Sequence, residues 1–225
     1  MSSLEPVTPT PTDAPERQRE TAAAPLRDLR FRALVGERAW SGLPAAVRAR
    51  FSKRLAPGEI ALYKGAVVAT ELSRIGRVLA FLARVIGAPL PLTDGATGPA
   101  VVAVTEEPSL GGQIWSRSYA RAGRFPQVVH SAKRFRGPTG LEEHVGGGIA
   151  MMLVVSVEAS ALVFRSAGYV LELGRLRIRL PRLLEPGVMT ITHRDLGSGR
   201  FAFELALDHP RIGRLLHQLA IFSDL

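Results

Sequence analysis

Short apolar runs separated by glycine-rich turns occupy the sequence from residue 98 onward, and they limit the fold more than any other feature. Turns are indicated at Gly111-Gly112, Gly146-Gly147-Gly148 and Gly197-Ser198-Gly199. Most runs alternate apolar and polar residues, as strands with one buried face do. Successive strands joined by tight turns pair as an antiparallel meander. The predicted strands are residues 100–106, 113–120, 125–135, 141–145, 149–159, 162–164, 169–173, 175–180, 188–193 and 201–207.

This pattern predicts a large curved antiparallel sheet or a partly closed barrel, packed by a few N-terminal helices. Residues 29–35 and 43–51 have the apolar spacing of short helices. Residues 59–72 have no clean period and fit either a strand or a helix. The predicted fold class is α+β, mainly β, in a single domain over residues 28–225.

The run at residues 175–180 alternates most strictly, with an arginine at every odd position and an apolar residue at every even one. The alternation places Ile178 toward the core and Arg177 toward solvent. We therefore expect Ile178→Asp to destabilise the domain severely, because it would bury a charge, and Arg177→Asp to be tolerated.

One predicted helix, residues 73–86, is both amphipathic and basic. Ser73 is suited to cap its N-terminus. One face carries Ile75, Leu79, Leu82 and Ile86, and the other carries Arg77 and Arg84. A basic amphipathic helix can lie on a membrane surface, but it more often covers a sheet with its arginines in water. Sheet cover is the favoured interpretation, and peripheral membrane contact stays open.

Residues 1–27 are predicted to be a disordered Pro/Thr-rich tail. Prolines recur without a period and bulky apolar residues are nearly absent, so little could offset the entropy cost of ordering these residues. We expect the tail to be dispensable for folding.

The composition excludes several classes of site. The chain has no cysteine, which excludes disulfides, zinc–thiolate sites and thiol nucleophiles and is typical of a cytoplasmic protein. No apolar run is long enough for a transmembrane helix. The net charge is +9, from 29 basic and 20 acidic residues. That surplus fits an acidic partner or a compositional bias toward arginine, and both interpretations stay open.

Motifs for cofactors and metals are absent from the sequence. The glycines at 146–148 lead into a strand rather than a helix, which indicates a hairpin turn and not a nucleotide cradle. There is no Gly-x-Ser-x-Gly elbow and no His-Glu-x-x-His helix. The histidines are scattered, so we predict no metal and no cofactor.

Glu142, Glu143 and His144 are adjacent on a predicted strand. Alternation puts Glu142 and His144 on one face and Glu143 on the other. A carboxylate beside a histidine can form an acid/base pair, although the end of a surface strand has the same composition. Glu142 and His144 are therefore the catalytic candidates, and the sequence leaves open whether the protein is an enzyme.

Trp115, Arg117 and Tyr119 are predicted to share one face of a strand. An arginine between two aromatic rings can stack on them or pair with an anionic group in a pocket. With Arg134, from the basic run that follows, they are the predicted ligand-binding residues. Nucleic acid is an unlikely partner, because no recognised DNA- or RNA-binding motif is present.

The order of motifs resembles a bacterial family, the domain-of-unknown-function family 4166, over residues 30–222. The motifs are residues 31–34, 43–48, 87–91, 115–119, 140–143, 182–186, 201–203 and 212–215. Members are often appended to NAD-binding oxidoreductase modules, so the resemblance implies an oxidoreductase partner. It implies no established activity and no catalytic residues.

Residues 149–159 are apolar on both faces, so both faces need cover. If the helix at 73–86 covers one face, the other faces either a packed core or a cavity. We favour a domain that binds an apolar or amphipathic small molecule in a sheet cavity, with basic residues at its mouth for an acidic head group. The alternatives are an accessory domain or partner of an oxidoreductase, or an enzyme whose acid/base residues lie near Glu142 and His144.

Overall fold

The computed structural model describes residues 28–85, 97–107 and 111–224. The predicted tail, residues 1–27, and the end of the predicted helix at Ile86 lie outside the described residues. The elements in chain order are α1 (Arg30–Val35), α2 (Glu37–Ser41), α3 (Ala45–Phe51), β1 (Ala61–Leu72), α4 (Arg74–Val85), β2 (Gly98–Glu107), β3 (Gly112–Arg121), β4 (Arg124–Arg134), β5 (Glu142–Gly146), β6 (Ile149–Glu158), β7 (Ala161–Leu173), β8 (Leu176–Arg179), a 3-10 helix (Arg182–Leu184), β9 (Val188–Gly197), β10 (Arg200–His209) and β11 (Gly213–Asp224).

Ten of the described strands close into one antiparallel barrel, which confirms the predicted β-rich class. The order around the barrel is β1, β2, β3, β4, β5, β6, β7, β9, β10 and β11, and β11 pairs back onto β1 from Tyr63–Asp224 to Leu72–Leu216. Closure gives each strand of the ring two neighbours, and the shortest ladder is that of β4 with β5, over Ala132–Arg134. Residues 59–72, which fitted a strand or a helix, form β1, and a register shift between Val67 and Ala69 explains the missing period.

Strand β8 is the exception to the simple ring. β7 pairs with β9 over residues 162–165 and with β8 over residues 170–173, so β8 lies beside the barrel near one end. All four residues of β8 are exposed, and Ile178 keeps 43% of its surface accessible. The prediction that Ile178 points into the core is therefore wrong, because β8 pairs with β7 alone and its apolar side is left partly exposed by the described residues.

Arg177, in contrast, has a buried partner. Its Nη2 donates a hydrogen bond of 2.6 Å to Oε1 of Glu142, a carboxylate with no exposed surface. We expect Arg177→Asp to lower the free energy of unfolding by about 2 kcal/mol or more, because it sets a second carboxylate against a buried one. Ile178→Asp should cost less than about 1 kcal/mol. Urea denaturation of both variants checks this order, and a larger loss for Ile178→Asp would contradict it.

The two ends of the barrel differ. We call the end at which β1 begins and β11 ends the base, and the end at which β1 ends and β11 begins the mouth. Helices α1 to α3 close the base with an aromatic cluster. Phe31 is fully buried there, with ring centroids 5.2 Å from Phe51, 4.9 Å from Phe135 and 6.0 Å from Phe164. This packing is the largest apolar core of the domain.

Helix α4 lies at the mouth, against β1 and β11. Ser73 caps it as predicted, since its Oγ accepts a 2.9 Å hydrogen bond from the Gly76 amide. A side chain at Gly76 would collide with the Leu215 carbonyl oxygen, so only glycine allows this close approach. The helix therefore packs through its small residues Gly76, Ala80 and Ala83. The predicted sheet cover is thus observed, and Leu79 of the predicted apolar face packs against the core, whereas Ile75 and Leu82 of the same face are about half exposed.

Within the described ranges, no helix is both long and apolar enough to cross a membrane.

Candidate functional site

The barrel encloses a cavity of about 560 Å³. This volume lies within the range of small-molecule sites, roughly 300–1,000 Å³. The walls are mostly apolar and come from both halves of the ring, with Val129, Val145, Met151, Ile191, Leu205 and Leu207 among them. Leu79 and Leu82 of α4 and Leu184 of the 3-10 helix line the end at the mouth. The sequence-based expectation of a barrel that can hold a ligand is thus met by the fold.

One buried polar cluster interrupts the apolar wall. Lys133 on β4 and Glu143 on β5 are direct cross-strand partners, and Lys133 Nζ lies 2.8 Å from Glu143 Oε2. Ser131 Oγ donates a 2.7 Å hydrogen bond to Glu143 Oε1. Arg117 of β3 contacts Ser131 Oγ at 3.0 Å and Glu143 Oε1 at 3.3 Å. Both Lys133 and Glu143 are almost completely shielded from solvent.

The cluster carries more positive than negative charge. Burial by itself raises the pKa of Glu143, but the charges of Lys133 and Arg117 and the hydrogen bonds from Lys133 and Ser131 lower it to about 2. Burial lowers the pKa of Lys133, aided by the charge of Arg117 and opposed by the Glu143 carboxylate. With Lys133 protonated, two cations face one carboxylate inside an apolar cavity.

The buried pair of Lys133 and Glu143 leads to a prediction about stability. Glu143→Leu leaves Lys133 and Arg117 without their counter-charge, and we expect it to lower the free energy of unfolding by about 3–5 kcal/mol. The double variant Glu143→Leu/Lys133→Met should lose less than the single one, because it also removes a buried cation. Urea denaturation measures both.

The matched control is the exposed pair of Glu158 and Arg165, on β6 and β7. Glu158→Leu should change stability far less than Glu143→Leu, because water screens the exposed pair. Equal losses of stability in Glu143→Leu and Glu158→Leu would contradict the buried-pair interpretation. A double variant less stable than Glu143→Leu would contradict it as well.

Trp115, Arg117 and Tyr119 all line the cavity, so the structure brings these three predicted residues together on one face of β3. Trp115 is only 7% exposed, and its indole Nε1 has no hydrogen-bond partner among the residues that the structure describes. Lys133 Nζ lies 5.0 Å from the centroid of its ring, a cation–π distance. A buried donor without an acceptor is costly.

Arg134 lies elsewhere. Alternation along β4 turns it away from the cavity, and its guanidinium contacts Glu107 at 3.0 Å and His144 Nδ1 at 3.2 Å. The structure thus groups Arg134 with Glu142 and His144 on the outer face of the barrel. The residue that this part of the basic run contributes to the buried cluster with Glu143 is its neighbour Lys133. Its position two residues after Ser131 and opposite Glu143 is the signal that could have identified it.

The outer cluster is held by arginines. Glu142 pairs with Arg136 at 3.0 Å and with Arg177, and His144 Nε2 lies 3.0 Å from Arg136 Nη2. Burial, followed by the charges of Arg134 and Arg136, lowers the pKa of His144, which favours the neutral imidazole. Each ring nitrogen lies near one guanidinium and one carboxylate, so one nitrogen can accept from an arginine while the other carries the proton. The catalytic role of Glu142 and His144 stays a prediction.

The same cluster has a spacing that would suit a cation. One ligand atom from each of Glu142, His144 and Glu172 lies within 4.8 Å of the others. However, Arg136 and Arg177 already pair with both carboxylates, which removes the excess negative charge that attracts a metal ion. The expected absence of a metal stays a prediction.

The sequence profile of the domain of unknown function DUF4166 matches residues 43–222. The match begins just before α3 and ends at residue 222, near the end of β11, so it spans all ten strands of the barrel. The chain belongs to the DUF4166 family. No curated protein is detectably similar to it. For this DUF4166 domain, the bacterial context and the oxidoreductase partner implied by the sequence resemblance stay predictions.

Below the cavity, His193 occupies the base of the DUF4166 barrel. It is 1% exposed, it stacks on Phe201 with a centroid distance of 4.8 Å, and its Nδ1 has no hydrogen-bond partner within the described ranges. Burial, together with the nearby Arg50 charge, lowers the pKa of His193 to about 3. The imidazole is therefore neutral in the folded protein.

His193 makes the stability of this DUF4166 domain depend on pH. Below about pH 6.5 the unfolded chain binds a proton at this site that the folded chain does not. Folding stability should fall from this group alone by up to about 1.4 kcal/mol per pH unit between pH 6.5 and 3. His193→Phe removes this proton uptake, so the slope of the unfolding free energy against pH should decrease by up to about 1.4 kcal/mol per pH unit in this range. The exposed His130→Phe is the control, and an unchanged slope in His193→Phe would refute the assignment.

Proposed function

We propose that the barrel binds an amphipathic small molecule of the fatty-acid class, with its acidic head group at Arg117 and its apolar chain directed toward the mouth. The observation that carries this proposal is the polarity of the cavity. Its wall is mostly apolar, and Arg117 and Glu143, the arginine and the carboxylate among the described lining residues, belong to one cluster with the buried Lys133. An apolar pocket with a few convergent polar groups is the usual form of a small-molecule site.

The register of the strands supports the orientation of the ligand. Lys133 pairs with Gln113 near the base, whereas Tyr119 pairs with Gln127 next to the β3–β4 hairpin at the mouth. Arg117 lies between these levels. The wall toward the mouth is formed by apolar side chains such as Leu207, Leu79 and Leu82. Among the described lining residues, Arg117 and Glu143 therefore lie deeper than the apolar rim, and the polar groups nearer the mouth, Tyr119 and Gln218, are uncharged.

Arg117 is the residue best suited to bind the head group. Two of its nitrogens already contact Ser131 and Glu143, which fixes the guanidinium in place, and 20% of its side chain is still accessible from the cavity. A carboxylate accepts charge-assisted hydrogen bonds from such a group. Lys133 is 4% exposed and stays paired with Glu143, so it contributes charge rather than contact.

The test is a titration of the full chain with a fluorescent fatty acid in vesicle-free buffer. We expect saturable binding of one probe per chain. Arg117→Met keeps most of the side-chain volume but removes the charge, and should weaken binding by about tenfold or more, as expected for a charged hydrogen bond. The methyl ester of the same probe lacks the negative charge, so its affinity should be similar in the native protein and in Arg117→Met.

Two control variants separate this function from its alternatives. Arg194→Met removes an exposed arginine that contacts only the Ala159 carbonyl among the described residues, and should leave probe binding unchanged. His144→Ala alters the outer cluster and should also leave binding unchanged. Binding that depends on His144 and not on Arg117 would favour a site on the outer face. A folded protein without saturable binding would refute the proposal.

Two further predictions rest on the sequence alone. The cytoplasmic location follows from the absence of cysteine, and the oxidoreductase partner follows from the family resemblance. Neither is needed for the ligand-binding proposal.

A further inference from the structure

The distribution of exposed apolar residues over the barrel is uneven. Among the described large apolar side chains, five are at least 60% exposed: Val78, Phe81, Phe125, Leu183 and Leu184. All five lie at the mouth. Val78 and Phe81 belong to α4, Phe125 to the start of β4 beside the β3–β4 hairpin, and the two leucines to the 3-10 helix. Exposed apolar groups concentrated at one end of a protein indicate an interaction surface.

These residues come from three separate parts of the chain, and the fold brings them to the rim of one cavity. Leu82 of α4 and Leu184 of the 3-10 helix are partly exposed and also line the cavity. The Gly76 contact with β11 explains the exposure on α4, because the helix packs through its small residues and Leu79, which leaves Val78 and Phe81 exposed. The apolar rim and the cavity wall therefore form one continuous surface.

The charge of the same end is positive. Exposed arginines near the rim include Arg74, Arg77, Arg84, Arg124, Arg182 and Arg211. The nearby carboxylates are Glu71 and Glu185, together with Asp208 and Glu172, which already pair with Arg214 and Arg177. Cationic side chains around an exposed apolar face are the combination that binds anionic lipid surfaces, where apolar groups insert and arginines contact the head groups.

We infer that the mouth docks onto an anionic lipid surface, so that the cavity opens toward the membrane from which it takes or to which it delivers its amphiphile. The inference rests on the proposed ligand-binding function for the identity of the cargo. The docking itself rests on the rim, on its arginines and on their position around the cavity.

The experiment is sedimentation of the full chain with vesicles, either of neutral phosphatidylcholine or of phosphatidylcholine with phosphatidylglycerol. We expect binding to the anionic vesicles, weak binding to the neutral ones, and loss of binding as the salt concentration rises. The variant Phe81→Asp/Leu183→Asp should reduce the fraction bound by about tenfold or more, since it removes two inserting groups. Both positions are exposed, and an unchanged thermal melt verifies that the variant is folded.

The matched control is Ile60→Asp, which changes a 58% exposed apolar residue at the base. It should bind vesicles like the native protein. Failure to bind anionic vesicles, or equal effects of the mouth and base variants, would overturn the inference. A dimer in analytical ultracentrifugation that Phe81→Asp/Leu183→Asp dissociates would also overturn it, because a second copy would then cover the rim. Saturable probe binding in solution without vesicle binding would remove the docking inference and leave the ligand-binding function intact.

Discussion

The width of a closed ten-strand barrel is the constraint on which the rest of this structure depends. A ring of about eight strands can be filled by its own side chains, whereas a wider ring leaves space inside. Here the inward positions include small or polar residues such as Ala220, Ser131 and Gln218, which do not restore the missing volume. The chain closes the base with the aromatic residues of α1 to α3 instead. The cavity thus follows from the pairing of β11 with β1, which closes a ring of ten strands.

Inside such a cavity, charge has large effects because water does not screen it. Lys133 and Glu143 face each other across β4 and β5, and the pair would be expensive to bury if either were alone. Arg117 adds a cation that one carboxylate cannot neutralise. A cluster that only stabilised the barrel would need no third charge. The surplus is chemically meaningful for a negatively charged partner.

Period-two alternation was sufficient to predict most strands and the shared face of Trp115, Arg117 and Tyr119, because each strand of a barrel has one face inside and one outside. Alternation gives wrong predictions where a strand does not have one buried and one exposed face. β8 pairs with β7 alone, so its apolar side at Ile178 is exposed in spite of perfect alternation. β11 was not predicted, because α4 covers Leu215 on the outside and both faces of the strand carry apolar residues. Arg134 and Lys133 are adjacent in sequence but lie on opposite sides of the wall, and only the register with β5 decides which one faces the cavity.

The mouth and the deep cluster have opposite characters, and together they define a direction. In an ordinary soluble domain apolar groups lie inside and charges outside, yet this barrel keeps an ion cluster in its interior and its most exposed large apolar side chains at its rim. When an amphiphile leaves a bilayer, its chain needs apolar surroundings along the whole route, and its head group needs a charged partner. The cavity is lined by Leu82 and Leu184 at the rim, by Leu207 in the wall and by Arg117, which together provide both conditions. The fold thus stabilises the charge where the head group would stop, and it leaves exposed the surface through which the chain would pass.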